Sequence, residues 1–365
     1  MSTISILGVE INIAADEAGM LDYIHAFMDA YEDVPSDIQP DKHIHINVKR
    51  GDLLTPARHS VVSVHRSKHA YWTFDAELYE NHSRNVIWRT KGVSVRLRDA
   101  ATNVEVTVGP TVDPRYAGEA LFHICRSLAL YHRSGYRGNL LHASAVSINN
   151  SAVLFMGKVF AGKSTLLAES VFKHGAKPLA NDRVLILAGV PPIAVSWPSY
   201  SSFCEGTLLN YPALAAAAEH YENGNYPFRT QTWSRPLARL FKPDAKRIYP
   251  MLWFSQAAGV KFVRQEELRM LVLAQVEPEP ATPGIRRLDL ANPADRTHLT
   301  SILDACTFDD HEPSFLPWHG LRWPAGAPAL QDLIDRLAQA RVGVFDFRVS
   351  VRDLGLLKQL FSELK

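Results

Sequence analysis

The sequence predicts an α/β domain with a mixed sheet over residues 114–365, preceded by a smaller β-rich domain over residues 1–113, and three observations carry that prediction. Before residue 110 apolar residues alternate with polar ones. After Pro110 to Pro114 the period changes to steps of three and four. Further on, an apolar strand runs into a glycine-bounded string that opens a helix.

The alternation is explicit at three places. Ile44, Ile46 and Val48 alternate with His43, His45 and Asn47; Val93, Val95 and Leu97 with Ser94 and Arg96; Val104, Val106 and Val108 with Glu105 and Thr107. Period two is the mark of half-buried antiparallel strands, the last two joined across Asp99 to Asn103. One helix interrupts this region, around Glu17 to Tyr31. Past Pro114, the positions Ala117, Leu121, Ile124, Leu128 and Tyr131 form the buried stripe of an amphipathic helix ending before Gly135. A strand over Leu140 to Ile148, a turn at Asn149 and Asn150, and a strand over Ala152 to Met156 follow. The helix from Lys163 to about His174 stops at Gly175, with Pro178 preventing its resumption. Leu185 to Leu187, Leu271 to Val276 and Val342 to Phe347 read as strands. Leu330, Leu333, Ile334 and Leu337 mark a late helix, and Leu354 to Phe361 a last one.

Composition narrows the class. With 47% hydrophobic and 21% charged residues the chain reads as an ordinary globular protein, and a formal net charge of +1 gives no bulk reason to expect a nucleic acid or an anionic membrane as partner. Cys125, Cys204 and Cys306 are odd in number and widely spaced, which suggests reduced core residues rather than a disulfide framework or a cysteine zinc site. The N-terminal stretch lacks the pattern of a secretory signal, and no apolar run is long enough to span a membrane, so the expected location is the cytoplasm.

Gly157, Lys158, Val159, Phe160, Ala161, Gly162, Lys163 and Ser164 spell G-x-x-x-x-G-K-S between a strand and a helix, followed by Thr165. The glycines permit backbone turns that aim successive N–H groups into one concavity, and the helix N-terminus adds its positive end. Lys163 is expected on the β- and γ-phosphates of ATP and the Ser164 hydroxyl on Mg²⁺. A magnesium nucleotide also wants a carboxylate. Nineteen residues beyond Lys163, Asn181 and Asp182 sit where two short apolar strands meet. Asp182 is the candidate for holding Mg²⁺ or for taking the proton of an attacking hydroxyl, against the plainer reading of a turn residue paired with Arg183. His142 in LLHASAV precedes the glycine string by one strand; alone, it reads equally as a packed core histidine.

Taken in order, LLHASAV, GKVFAGKST and LANDRVLI resemble the C-terminal kinase domain of HPr kinase/phosphorylase and its relatives, which include kinases of ribosomally made peptides. The match covers about Leu140 to Leu187, with a weaker similarity at VGVFDFRVS. The resemblance implies a mixed-sheet P-loop fold of the kind shared with phosphoenolpyruvate carboxykinases, and ATP- and Mg²⁺-dependent phosphorylation of a serine hydroxyl. It further implies that Lys163 and Ser164 take the P-loop roles, that His142 lies near the transferred phosphate, and that Asp182 is the second acid of an Asp-Asp pair whose first member is here Asn181. An amide cannot take a proton, so the base role passes to Asp182 or His142.

Between Phe228 and Tyr249 the residues Arg229, Arg235, Arg239, Lys242, Lys246 and Arg247 face one acid, Asp244. This stretch, 229–247, is a candidate dock for polyphosphate or an acidic peptide or protein acceptor, and equally a solvated basic face. His43 and His45 share the polar face of a strand and form a weak candidate metal pair. The functional expectation is an ATP-dependent kinase of a hydroxyl. The alternatives are a P-loop ATPase or GTPase switch, and a nucleotide-binding regulatory protein without turnover. A homo-oligomer is left open.

Overall fold

The alternating segments do form strands. The computed structural model describes residues 1–33, 42–55, 61–66, 75–80, 84–133, 138–223, 236–242, 245–277, 283–307 and 329–364, which fall into two compact units. The first takes in Met1–Met28 and the described part of Asp33–Gly135. The second takes in Asp29–Glu32 and the described parts of Tyr136–Phe308 and Ala327–Lys365. Each is a mixture of helices and mixed sheets.

In the first unit eight strands make one sheet: β1 (Ser2–Ile6), β2 (Val9–Ala15), β3 (Lys42–Arg50), β4 (Val61–Arg66), β5 (Asp75–Glu80), β6 (Arg84–Trp88), β7 (Val93–Arg98) and β8 (Asn103–Val108), in the order β1-β2-β3-β8-β7-β6-β5-β4. The sheet is mixed rather than purely antiparallel, because β3 lies parallel to both β2 and β8. A parallel neighbour needs a crossover, and helix α1 (Asp22–Met28) lies within the one from β2 to β3. Period-two burial holds on β3: Ile44, Ile46 and Val48 are buried while His43, His45 and Asn47 are exposed. His43 Nδ1 lies 3.0 Å from Glu10 Oε1, and among the described residues no group of three or more metal-ligating side chains gathers. The tight connection from β7 to β8 runs through Asp99, Ala100 and Ala101, all with positive φ.

Helix α2 (Pro114–His132) begins as the sequence indicates. Asp113 caps it by accepting from the Arg115 N–H at 2.8 Å, and Pro114 takes the first turn, where its missing N–H costs nothing. The boundary expected at residue 113 falls just before it. This helix belongs to the first unit, where Phe122 stacks on Phe27 of α1 with ring centroids 4.2 Å apart. The change of period at Pro114 marks a change of secondary structure; the domain division is set by packing that lies further along the chain.

The second unit is built around strand β17 (Gln265–Glu277). Its sheet includes β9 (Gly138–Leu141), β10 (Ser144–Ile148), β11 (Ser151–Met156), β12 (Lys177–Asn181), β13 (Val184–Leu187) and β14 (Ile193–Ser196), in the order β12-β10-β11-β17-β14-β13-β9. The first residues of β17 pair antiparallel with β14, its middle pairs parallel with β11, and its second half pairs parallel with β19 (Gly343–Ser350), which β18 (Gly284–Arg287) flanks. Helix α3 (Lys163–His174) has the predicted bounds and ends on Gly175 at φ +68°. Helices α7 (Pro293–Cys306) and α8 (Leu330–Gln339) supply Leu299, Leu303, Leu333, Ile334 and Leu337 to a core shared with Leu154, Leu271 and Val344.

A smaller lobe of this unit had no strong signal in the sequence. Strands β15 (Ser201–Cys204) and β16 (Lys246–Tyr249) pair as a ribbon, with α4 (Glu205–Asn210), α5 (Pro212–Asn223) and α6 (Met251–Ala258) around it. Aromatic rings hold the lobe together: Phe203 stacks on Phe254 at 5.4 Å, Tyr249 on Trp253 at 3.9 Å, and Phe172 of α3 on Tyr211 at 5.4 Å. No helix among the described residues is long and apolar enough to cross a membrane.

Candidate functional site

The predicted single strand over 140–148 is two strands, and the break between them makes the site. β9 pairs with β13, whereas β10 pairs with β11 and β12, so the chain must pass from one set of partners to the other at His142 and Ala143. The freed backbone groups find partners at once. The His142 N–H donates to the Cys306 carbonyl at 2.7 Å and the Ala143 N–H to the Asp182 carbonyl at 3.2 Å. His142 is therefore not a core strand residue: its side chain is 30% exposed, with Nε2 3.4 Å from Asp182 Oδ1.

Strand pairing sets everything else at the same end of the sheet. Ser144 opposes both Phe155 and Asn181 in register, so the start of β10 meets the ends of β11 and β12. The chain leaving β11 there turns through Gly157 at φ +149°, Phe160 at +65° and Gly162 at +89° into α3. Two glycines are obligatory for space as well as for φ. A β-carbon on Gly157 would lie 2.7 Å from the Ala274 carbonyl oxygen, and one on Gly162 would lie 2.5 Å from the Val276 side chain. The Val276 N–H, donating to the Ala161 carbonyl at 3.0 Å, ties the loop to the end of β17.

Lys163 is 8% exposed and its ammonium donates to the carbonyls of Gly157 and Lys158 at 2.9 and 3.0 Å, which folds it over the loop. Burial lowers its proton affinity; Cys306 and Asp182 act the other way and Lys246 adds to the lowering. For Asp182 burial pushes the carboxyl up, yet the His142 hydrogen bond and the charges of Arg183, His142 and Lys246 prevail and hold it below the usual carboxylate range. The Cys306 thiol, pushed up by burial, donates to the Gly157 carbonyl, a packing role.

These groups open onto one pocket of about 780 Å³, well within the size of small-molecule sites. Its walls include His142, Asn181, Asp182 and the run Val159, Phe160, Ala161, Gly162, Lys163, Ser164, Thr165. Gly157 and Lys158 shape the loop through their carbonyls without lining that wall. Thr165 shares a hydrogen bond of 2.9 Å with Thr207 of α4. The pocket continues along the α3 face that carries Thr165, Glu169 and Lys173, a spacing of four that puts them in a row, and reaches Arg352, Leu354 and Gly355 after β19.

Asn181 is fixed rather than free to serve the site. It is 3% exposed, accepts from the Ser144 hydroxyl at 3.0 Å and donates to the Ser202 carbonyl at 3.4 Å, so it joins β12 to β10 and β15. Asn181→Asp therefore removes a donor and turns a buried carboxylate toward a carbonyl. The expected outcome is a loss of about 1–3 kcal/mol of stability, read as a lower denaturation midpoint with unchanged slope. An unchanged midpoint would mean the carboxylate finds a cation in the pocket.

The basic stretch divides. Arg239 and Lys246 line the pocket, while Arg229, Arg235 and Asp244 lie outside the described residues. Arg247 is wholly buried, with Nε 3.0 Å from Glu205 Oε1, so it is not part of any exposed basic face of that stretch. Alternation along β16 explains this, since adjacent residues point to opposite sides of a strand. Ser144 was within reach of sequence reasoning, two residues beyond His142. Thr207, Glu169 and Arg352 carried no motif.

No protein-family model matches the chain, and no curated protein matches it. Among solved structures, the Hpr(Ser) kinase/phosphatase from Coxiella burnetii aligns over 40% of this chain and 75% of its own, with 14% sequence identity and a TM-score of 0.23. A likeness at that level fixes neither fold nor chemistry, so the kinase resemblance stands on LLHASAV, GKVFAGKST and LANDRVLI themselves.

Proposed function

We propose that the second unit binds ATP with Mg²⁺ and transfers the γ-phosphoryl group to a hydroxyl, of serine in a peptide or protein. The observation carrying this reading is the convergence of Lys163, Ser164, His142 and Asp182 on one pocket at the end of β11. The loop N–H groups and Lys163 hold the phosphates, which draws the ammonium from the Gly157 and Lys158 carbonyls toward a stronger, charge-assisted partner. The acceptor oxygen bonds to Pγ as the bond from Pγ to the β–γ bridging oxygen breaks, and ADP leaves. Asp182 already faces His142, so it orients the imidazole and stabilises the charge that forms when His142 takes the hydroxyl proton.

The residues present fit magnesium. Ser164 lies in the first turn of α3, and Asp182 is a carboxylate on the same wall. Two protein oxygens suffice for an ion that keeps its waters and binds phosphate, and no larger protein cage gathers among the described residues. Bound there, Mg²⁺ would neutralise charge on the phosphates.

Lys163→Ala tests the reading. Deleting a cation aimed at phosphate should weaken magnesium ATP about 10- to 100-fold, the equivalent of a charged hydrogen bond. Calorimetric titration measures it, with thermal unfolding as the control for the fold. Unchanged affinity in a folded variant would overturn the assignment. Radiolabelled ATP offered with serine-containing peptides then separates transfer from hydrolysis and from binding alone.

A further inference from the structure

Besides Lys163, the pocket is lined by Lys173 of α3, by Arg352 after β19, and by Arg239 and Lys246, which belong to the lobe of β15, β16 and α4. Arg239 and Lys246 sit on backbone that this lobe holds in place, Arg239 exposed and Lys246 half-buried. Lys246 pairs in register with Cys204 across the β15–β16 ribbon. Arg239 is held from either side: the Ala238 N–H donates to Glu205 Oε2 at 2.9 Å, and the Gly206 N–H donates to the Leu240 carbonyl at 2.9 Å.

Neither cation has an acidic partner among the described residues. Three carboxylates line the pocket, and each is engaged elsewhere. Glu169 accepts from the Tyr211 hydroxyl at 2.7 Å, Asp182 faces His142 and Arg183, and Glu277 accepts from Gln275 at 2.6 Å and from Arg348. Lys246 is half-buried, and its charge lowers the proton affinity of both Lys163 and Asp182, so it acts within the reacting part of the pocket. Cations on a concave wall, one of them half-buried, attract anions. The triphosphate is met by the loop, Lys163 and Mg²⁺, with Lys173 of α3 and Arg352 after β19 also on the wall, and Arg239 and Lys246 on the ribbon lobe are then available to a different anion.

We propose that Arg239 and Lys246 form an anion subsite for the phosphoryl acceptor, which therefore carries a phosphate or carboxylate close to the hydroxyl it offers. This rests on the nucleotide reading of the Lys163 loop, and the experiment keeps the two apart. The protein is first saturated with Mg²⁺ and a non-hydrolysable ATP analogue, and inorganic phosphate is then titrated in, with acetate as the parallel probe. Wild type should bind phosphate under these conditions, and the Arg239→Gln/Lys246→Met protein should bind it at least tenfold more weakly, while analogue affinity stays within about threefold. Binding of acetate as well as phosphate assigns the subsite to carboxylates too; binding of phosphate alone restricts it to phosphate-bearing acceptors. The proposal is overturned if the nucleotide-loaded protein binds neither anion, or if the double variant binds them as wild type does. Should the double variant unfold, Arg239→Gln alone, at an exposed position, gives the same comparison. If wild type does not bind the analogue, the nucleotide reading falls separately, and phosphate titration of Lys163→Ala with and without Arg239→Gln still tests the subsite.

Discussion

Asp182→Asn should lower phosphoryl transfer by at least about 10²- to 10⁴-fold, the range lost when general-base catalysis is disabled. The carboxylate has two duties in the proposed mechanism, and an amide serves neither well. It would hold Mg²⁺ less firmly, and it would present either an N–H₂ or a neutral oxygen to His142 Nε2, now 3.4 Å from a charged one. The loss should divide accordingly. Transfer falls at saturating ATP, and nucleotide affinity falls mainly when magnesium is present. Initial rates with labelled ATP and calorimetry with and without magnesium read the two parts. An Asp182→Asn enzyme with near-normal turnover would remove the carboxylate from the mechanism, leaving His142 to act without an orienting partner.

Glu205→Ala should destabilise the second unit by about 3–5 kcal/mol, because it removes the carboxylate paired with the fully buried Arg247 guanidinium. Both side chains are 0% exposed. The Ala238 N–H also loses its acceptor, adding the cost of an orphaned donor. Replacing the pair together by apolar residues of similar volume should recover much of the loss, since the buried charge is then gone, though the Ala238 N–H loses its Glu205 acceptor. Chemical denaturation of the two variants measures the contrast. If the single and double variants are equally unstable, the cost lies in the hole left at α4 rather than in the charge. The pair also matters beyond stability: it clamps the segment bearing Arg239 to α4, so its loss should loosen one wall of the pocket.

The same pair shows where sequence reasoning stops. Arg247 looks like one more charge in a basic run, and only its position on β16 turns it inward while Lys246 faces the pocket. Local signals were sound where the chemistry is local. The glycine string, the helix from Lys163 and its stop at Gly175 follow from backbone freedom and hydrogen-bond termination within a few residues, and their bounds agree with the structure. The alternation of β3 and β8 needed nothing beyond period two, and the α2 stripe nothing beyond period 3.6.

Placement depended on partners distant in the chain. His142 reads as mid-strand because the residues on both sides are apolar; the break exists because β13 captures one side and β11 with β12 the other. Asn181 reads as a missing acid, yet contacts with Ser144 and Ser202 make it a joint between three strands. The parallel pairing of β3, the assignment of α2 to the first unit and the ribbon that carries Lys246 are likewise products of pairing across many residues. The sequence by itself determined strands such as β3, β7, β8 and β11, helices α2 and α3, and the glycine string between β11 and α3, since those depend on side-chain period and local backbone freedom. Only the tertiary structure decided which charged residues face the pocket and which are sealed in the core, because burial and charge pairing are properties of neighbours that the chain brings together only when it folds.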